Sequence, residues 1–118
     1  MTHYKITPVP KPRMTRRDKW LSPPRPAVAR YRAFCDEVRA IGVVLPEKGA
    51  RVTFYMPMPK SWSKRRQDQM VGMPHQNERA DWDNLGKALS DAVYGHDGHI
   101  WDIRITKRWA REGGIIIE

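Results

Sequence analysis

Two apolar runs near the C-terminus decide the architecture: Trp101-Asp102-Ile103-Arg104-Ile105-Thr106-Lys107-Arg108-Trp109, and then Glu112-Gly113-Gly114-Ile115-Ile116-Ile117. In the first, Trp101, Ile103, Ile105 and Trp109 alternate with Asp102, Arg104, Thr106 and Arg108, which is the two-residue period of a half-buried strand. Glu112-Gly113-Gly114 reads as a hairpin turn, and Ile115–Ile117 as the returning strand. Two strands in succession exclude a fold in which helices and strands strictly alternate.

Upstream, Asp81 or Asp83 opens a helix with Trp82, Leu85, Leu89, Ala92 and Val93 on one face and Gly95 as its stop. Asp83, Lys87 and Asp91 are spaced i, i+4 and i+8 on the opposite, outward face. A second amphipathic helix starts at Pro26, carries Val28, Tyr31, Phe34/Cys35, Val38 and Ile41, and stops at Gly42. Val52, Phe54 and Met56 alternate with Arg51, Thr53 and Tyr55 in another strand, which Met56-Pro57-Met58-Pro59 ends. Tyr4-Lys5-Ile6-Thr7-Pro8-Val9 makes a short first strand. The order is therefore β-α-β-α-β-β with two main helices, an α+β fold on a mixed or antiparallel sheet. Trp82, Trp101 and Trp109 fall at core-phase positions.

Two long connections separate these elements. Residues 10–26 hold Pro10, Pro12, Pro23, Pro24 and Pro26 among Lys11, Arg13, Arg16, Arg17, Lys19 and Arg25, a cationic loop too rich in proline for regular structure. Trp20 and Leu21 are expected to anchor this loop on the body. Residues 57–80 form the other, with a short capped helix within Ser61–Met70. A connection of that length inside one domain is commonly functional.

The chain has 118 residues, which sets the expectation of a single domain over 1–118. No apolar run approaches the ~20 residues of a membrane span, and the first residues offer no signal peptide, so a cytoplasmic protein with no membrane partner is expected. The lone Cys35 excludes an intramolecular disulfide and a cysteine-built zinc site. With 22 Lys+Arg against 13 Asp+Glu the net charge is +9, which points to a polyanionic partner. The charge is unevenly spread. Residues 1–40 carry ten cations and three acids, 41–80 seven and three, and 81–118 five and seven.

That last segment gathers Asp81, Asp83, Asp91, Asp97 and Asp102 with Lys87. Acids brought together repel and call for a counter-charge, and magnesium favours carboxylate oxygen. The plain alternative is a solvated helix face with caps and turns. His96 and His99, without further nitrogen or sulfur donors, make a poor zinc site and read better as turn residues. Asp81 and Asp83 straddle a helix start, where amides and the dipole stabilise carboxylates. Lys87 stands one turn past Asp83, either as an ordinary ion pair or as a group that steadies phosphate charge. Trp20 and Trp62 lie among cations and read as loop anchors or as platforms for splayed bases.

The string Asp81-x-Asp83-Asn84-Leu85-x-Lys87-Ala88-x-x-Asp91-Ala92, then Asp97-x-x-Ile100-x-Asp102-x-Arg104-x-x-Lys107, resembles the RusA family of Holliday-junction resolvases, especially its phage and prophage members. The likeness continues, less specifically, through Met58-Pro59-Lys60-Ser61-Trp62-Ser63 and Tyr31-Arg32-Ala33-Phe34. It implies a homodimeric, magnesium-dependent endonuclease (manganese a possible substitute) that cuts four-way DNA junctions in recombination and repair. Its catalytic residues match Asp81, Asp83, Lys87 and Asp97, and its metal ligands match Asp81, Asp83 and Asp97. Asp91 and Asp102 match acidic positions whose roles stay open. His96 stands where the family often has another acid, which bears on metal preference and pH dependence, and Ala80 where Pro or Arg is common. The expected DNA phosphate contacts are Lys11, Arg13, Arg16, Arg17, Lys19, Lys60, Lys64, Arg65 and Arg66. Two other readings compete with junction cleavage: a non-catalytic basic nucleic-acid-binding protein, and a nuclease for flaps, forks or single strands.

Overall fold

The computed structural model describes residues 1–118. Its elements are β1 (Thr2–Tyr4), a 3-10 turn (Arg16–Lys19), α1 (Pro26–Ile41), β2 (Lys48–Pro57), α2 (Lys64–Met70), α3 (Trp82–Tyr94), β3 (Asp102–Ala110) and β4 (Gly114–Ile117). The class is α+β, on one mixed sheet of order β1-β4-β2-β3. β2 and β3 run parallel, with Val52 opposite Ile105 and Met56 opposite Trp109, and β4 is antiparallel to both β1 and β2.

Local sequence explains the long elements. Pro26 brings a preset φ to the first turn of α1, and Gly42 (φ 76°) closes it by donating its amide to Val38 O at 3.1 Å. Val28, Tyr31, Phe34, Cys35 and Val38 bury one face of α1, and Leu85, Ala88, Leu89 and Ala92 one face of α3. The two helices pack together with Ala50, Val52, Phe54 and Met56 of β2 in one core of 20 buried side chains. Burying a Leu or Phe side chain is worth about 1.5–3 kcal/mol, so Phe54, Leu85 and Leu89, each at 0 % exposure, are central to stability. Arg39 clamps the helix pair by donating from Nε to Ala92 O at 3.0 Å, at the carbonyl end of α3. Ser63 accepts from the Arg66 amide at 3.2 Å and so caps α2.

The end of the chain departs from the hairpin expected of it. β3 and β4 do not pair; β4 inserts between β1 and β2, and β3 lies on the other side of β2. The unbroken Ile115-Ile116-Ile117 run, with Ile115 and Ile117 buried and Ile116 half-buried, suits an interior strand better than an exposed edge hairpin. Gly113 and Gly114 serve close approach. A Cβ on Gly113 would stand 2.7 Å from Thr7 Cα, and one on Gly114 2.7 Å from His3 Nε2. The glycines let the chain pass under the N-terminal segment. β1 also lies earlier than the expected Tyr4–Val9: it is Thr2–Tyr4, and the chain beyond it leaves the sheet, with Ile6 turning into the core.

β3 forms one edge of the sheet, and its C-terminal half is covered. Residues 72–75 run along it, with Gly72 N to Trp109 O at 2.8 Å, Trp109 N to Met73 O at 2.9 Å and His75 N to Lys107 O at 3.1 Å. This covering strip leads straight into the start of α3. Only Trp109 of the three expected core tryptophans is buried. Trp82 and Trp101 are 63 % and 67 % exposed, because each sits at the margin of its element, before the buried register begins. No helix is long and apolar enough to cross a membrane.

Candidate active site

The site is built where α3, the turn after it and the N-terminal loop meet. Asp81 is the N-cap residue of α3, yet its side chain makes no capping hydrogen bond. Lys107, reaching from β3, donates from Nζ to Ala80 O at 2.7 Å and fixes the backbone just before it. Asp83 lies in the first turn, where the helix dipole favours negative charge, with Oδ2 3.9 Å from Lys87 Nζ.

Asp97 is carried by the turn after Gly95. Ser90 Oγ donates to His96 O at 3.2 Å, and the Gly98 amide donates to His96 Nδ1 at 3.2 Å, so helix and turn are tied and His96 is the turn's own acceptor. His99 stacks on Tyr94 at 4.3 Å and pairs with Glu47 at 2.7 Å. The histidines are therefore turn residues rather than a ligand pair.

Asp83, Lys87 and Asp97 line one cavity of about 270 Å³, with Ile103 and Ile105 of β3 as its apolar floor and Trp82 at its rim. Gly86 makes the approach possible: a Cβ there would meet Ile105 Cδ1 at 2.7 Å, so a larger residue would push α3 off β3. The N-terminal loop supplies a second lysine. Lys11 donates its amide to Asn84 O at 2.9 Å, and its Nζ lies 3.6 Å from Asp97 Oδ2. Lys11, Arg13, Asn84, Lys87 and Asp97 share an adjoining hollow of about 340 Å³, entirely polar or charged in its side chains apart from Pro12. Two carboxylates thus face a common space, each with a lysine beside it.

Asp81 does not line that space, and no three His, Cys, Asp or Glu side chains come together closely enough to hold one ion. The donor set that does converge, Asp83 with Asp97, is all oxygen. It suits magnesium, which is bound through one or two carboxylates plus water and substrate phosphate rather than a full protein cage. Asp91 leaves the group altogether: it accepts a hydrogen bond from the Tyr31 hydroxyl of α1. Two i, i+4 steps turn a helix by about 80°, which carries Asp91 off the outward face shared by Asp83 and Lys87. Burial, helped by that carboxylate, pushes the Tyr31 hydroxyl well above the usual phenol range. Asp102 is exposed at the start of β3 and lines neither hollow.

The family model for endodeoxyribonuclease RusA matches residues 3–118. The chain belongs to the RusA family. No curated protein and no solved structure matches it. The fold places the positive residues of this RusA-family chain in three settings. Lys11 and Arg13 stand at the carboxylates. Arg16, Arg17 and Lys19 ride on the 3-10 turn, and Lys60, Lys64, Arg65 and Arg66 lie on and before α2, all with exposed side chains. Trp20 is 82 % exposed and so does not anchor its loop.

That loop is held by an acid the sequence reading passed over. Asp18, 1 % exposed, accepts from Arg25 Nε at 2.7 Å and Nη2 at 2.8 Å, and from the Thr15 amide at 2.7 Å. The Thr15-x-x-Asp18 spacing of a capping box was the available signal. Lys107 and Trp82 were also missed as site residues. Lys107 closes the family motif string, but its contact with Ala80 is made across the fold and no local spacing reports it.

Proposed function

We propose that this RusA-family endodeoxyribonuclease is a magnesium-dependent enzyme that cuts four-way DNA junctions as a homodimer, in recombination and repair. The observation that carries the reading is the meeting of Asp83 and Asp97 across one cavity, with Lys87 and Lys11 beside them, where the basic N-terminal loop meets α3. A bound magnesium ion would activate the attacking water and offset charge on the leaving oxygen. Asp83 and Asp97 would hold it, with Asp81 as a third carboxylate one residue outside the cavity.

The remaining work falls to the chain itself. Lys87, fixed on the helix one turn from Asp83, is placed to face the phosphate as its charge grows, and preorganised cations of that kind lower barriers most where water is excluded. Lys11 binds Asp97 in the free protein and is free to shift to a DNA phosphate once that carboxylate has another partner. The Ile103–Ile105 floor keeps bulk water from one side of the cavity. Junction preference comes from symmetry, since two copies about a two-fold axis match a substrate that is itself near two-fold. Trp101, 67 % exposed and outside the carboxylate cavity, is an apolar surface that a second copy could cover.

The test is incubation with an end-labelled four-way junction, magnesium present, with a fork and a single strand as comparison substrates. Specific nicks in the junction are expected; binding without nicks would overturn the reading, and preferential cutting of the fork or single strand would replace it. A companion prediction concerns the basic loop. Replacing Arg16 and Arg17 by Ala removes two phosphate contacts, so the slope of log K against log salt should shrink by about 1.8. An unchanged slope would move the DNA surface off this loop.

A further inference from the structure

Beyond the carboxylate cavity, the largest hollow in the protein, about 500 Å³, opens at the far end of β3. Its wall is aromatic. Trp109 packs against Trp62 with ring centroids 4.8 Å apart, and Arg66 lays its guanidinium over Trp62, Cζ 4.0 Å from the ring centre. Trp62 is held in place because Gln67 Nε2 donates to its carbonyl at 2.9 Å. Arg66 makes no ion pair; the nearby Asp68 is taken by Arg111. The rim carries Gln76, Asn77 and Glu78, all exposed. Behind the wall, His75 stacks on Trp109 at 4.3 Å, 6 % exposed, and its Nδ1 is the protein's one buried side-chain polar atom without a partner. None of these residues takes part in the cleavage chemistry, and Arg66, expected from sequence to contact phosphate, lies instead over an aromatic ring.

We propose that this hollow receives a single unpaired nucleobase of the DNA substrate, stacked on the Arg66–Trp62 platform and read at its edge by Gln76, Asn77 and Glu78. The inference rests on the DNA-cleaving reading and adds a recognition site to it. Three features favour a base over a phosphate. Flat π-surfaces and guanidinium planes are what splayed bases stack on. Amide and carboxylate side chains match the donors and acceptors of a base edge, whereas Glu78 repels a phosphate. The same helix carries two further exposed cations, Lys64 and Arg65, next to Arg66 in sequence, as attraction for a strand's backbone.

Position adds a measure. Ile103, Ile105, Lys107 and Trp109 alternate onto one face of β3, so the strand joins the two cavities. From Ile105 or Ile103 to Trp109 is about 13–20 Å at ~3.3 Å per residue. At 3.4 Å per nucleotide that is roughly four to six stacked nucleotides. A base extruded at the branch point would thus sit that far along the strand from the phosphate being cut.

The experiment scans a single abasic residue through positions two to eight from the cut site of a four-way junction and measures binding in EDTA. Wild-type protein should lose about tenfold in affinity when the abasic residue falls at one position within four to six, the usual cost of one lost base stack. R66A, and separately Q76A with E78A, should bind the intact junction about tenfold more weakly and show no further loss with the abasic residue at that position. These side chains are exposed, so unchanged thermal melting is the control for folding. A flat scan with wild type, or a position-dependent loss that survives in the variants, would overturn the inference. Cleavage of the intact junction by wild type is measured alongside in magnesium. Cutting together with a flat scan removes only this site, whereas absence of cutting removes the functional reading beneath it.

Discussion

Asp83→Asn should bind a four-way junction in EDTA as tightly as wild type, and should cut it roughly a thousandfold more slowly in magnesium. The binding half follows from charge. Asp83 is 44 % exposed and is paired at 3.9 Å with Lys87, so the amide removes one negative charge from a surface that meets phosphate and leaves no buried group stranded. The cleavage half follows from the cavity, where Asp83 and Asp97 are the only carboxylates. Losing one halves the anionic donors available to a cation. Metal-borne charge stabilisation is worth several kcal/mol, and each 1.36 kcal/mol is tenfold in rate. Electrophoretic binding and single-turnover cleavage on the same labelled junction give both numbers. Cleavage within fivefold of wild type would remove Asp83 from the metal site, and a parallel loss of binding would mean that Asp83 shapes the DNA surface instead.

The pairing of Asp83 with Lys87 was legible because it is local: one helical turn brings i and i+4 together whatever the rest of the fold does. Asp97 was grouped with Asp81 and Asp83 through the family resemblance, since its meeting with Asp83 depends on Gly86 closing onto Ile105 and on Ser90 tying the following turn, contacts that no period in the sequence reports. α1 and β2 were legible for the same reason as the ion pair, as strong periodicity with a Pro at one end and a Gly or Pro at the other. β4 was legible as a strand, but its pairing was misread because Gly-Gly after a strand looks like a hairpin turn when read locally. Its use here, passing beneath Thr7 and His3, is a tertiary fact. Trp82 and Trp101 were misplaced because a hydrophobic phase cannot tell the first residue of a buried stripe from the last residue outside it. The basic loop was read by its prolines and cations, which hid the one acid that organises them.

Replacing that acid should have the largest effect on stability outside the core. Asp18→Asn keeps the shape but turns one acceptor into a donor facing Arg25 or the Thr15 amide, and donors that face each other in a covered site are costly. The loop from Lys11 to Arg25 would loosen, and with it the Arg32 Nη2 to Asp18 O contact at 3.1 Å that moors the turn to α1. The melting temperature at pH 7 should fall by several degrees. Its pH dependence identifies the cause. The bidentate hydrogen bonds from Arg25, with the Thr15 amide, hold the Asp18 carboxyl well below the usual carboxylate range. In the unfolded chain the group titrates near its ordinary value, about 3.9. Above that value both states are ionised and the native pairing contributes in full. As the pH drops below it, the unfolded chain takes up a proton that the native state does not, and the contribution drains away until the native carboxyl is protonated too. The gap in melting temperature between wild type and Asp18→Asn should therefore be constant from pH 5 to 7 and narrow below about pH 4. A gap that stays constant down to pH 3 would assign the loss to packing alone, and no gap at pH 7 would show that the loop holds its shape without its buried acid. Because Lys11 reaches Asp97 from this same loop, the variant should also bind junction DNA more weakly at temperatures where it is still folded, a loss that a purely local defect would not carry to the active site.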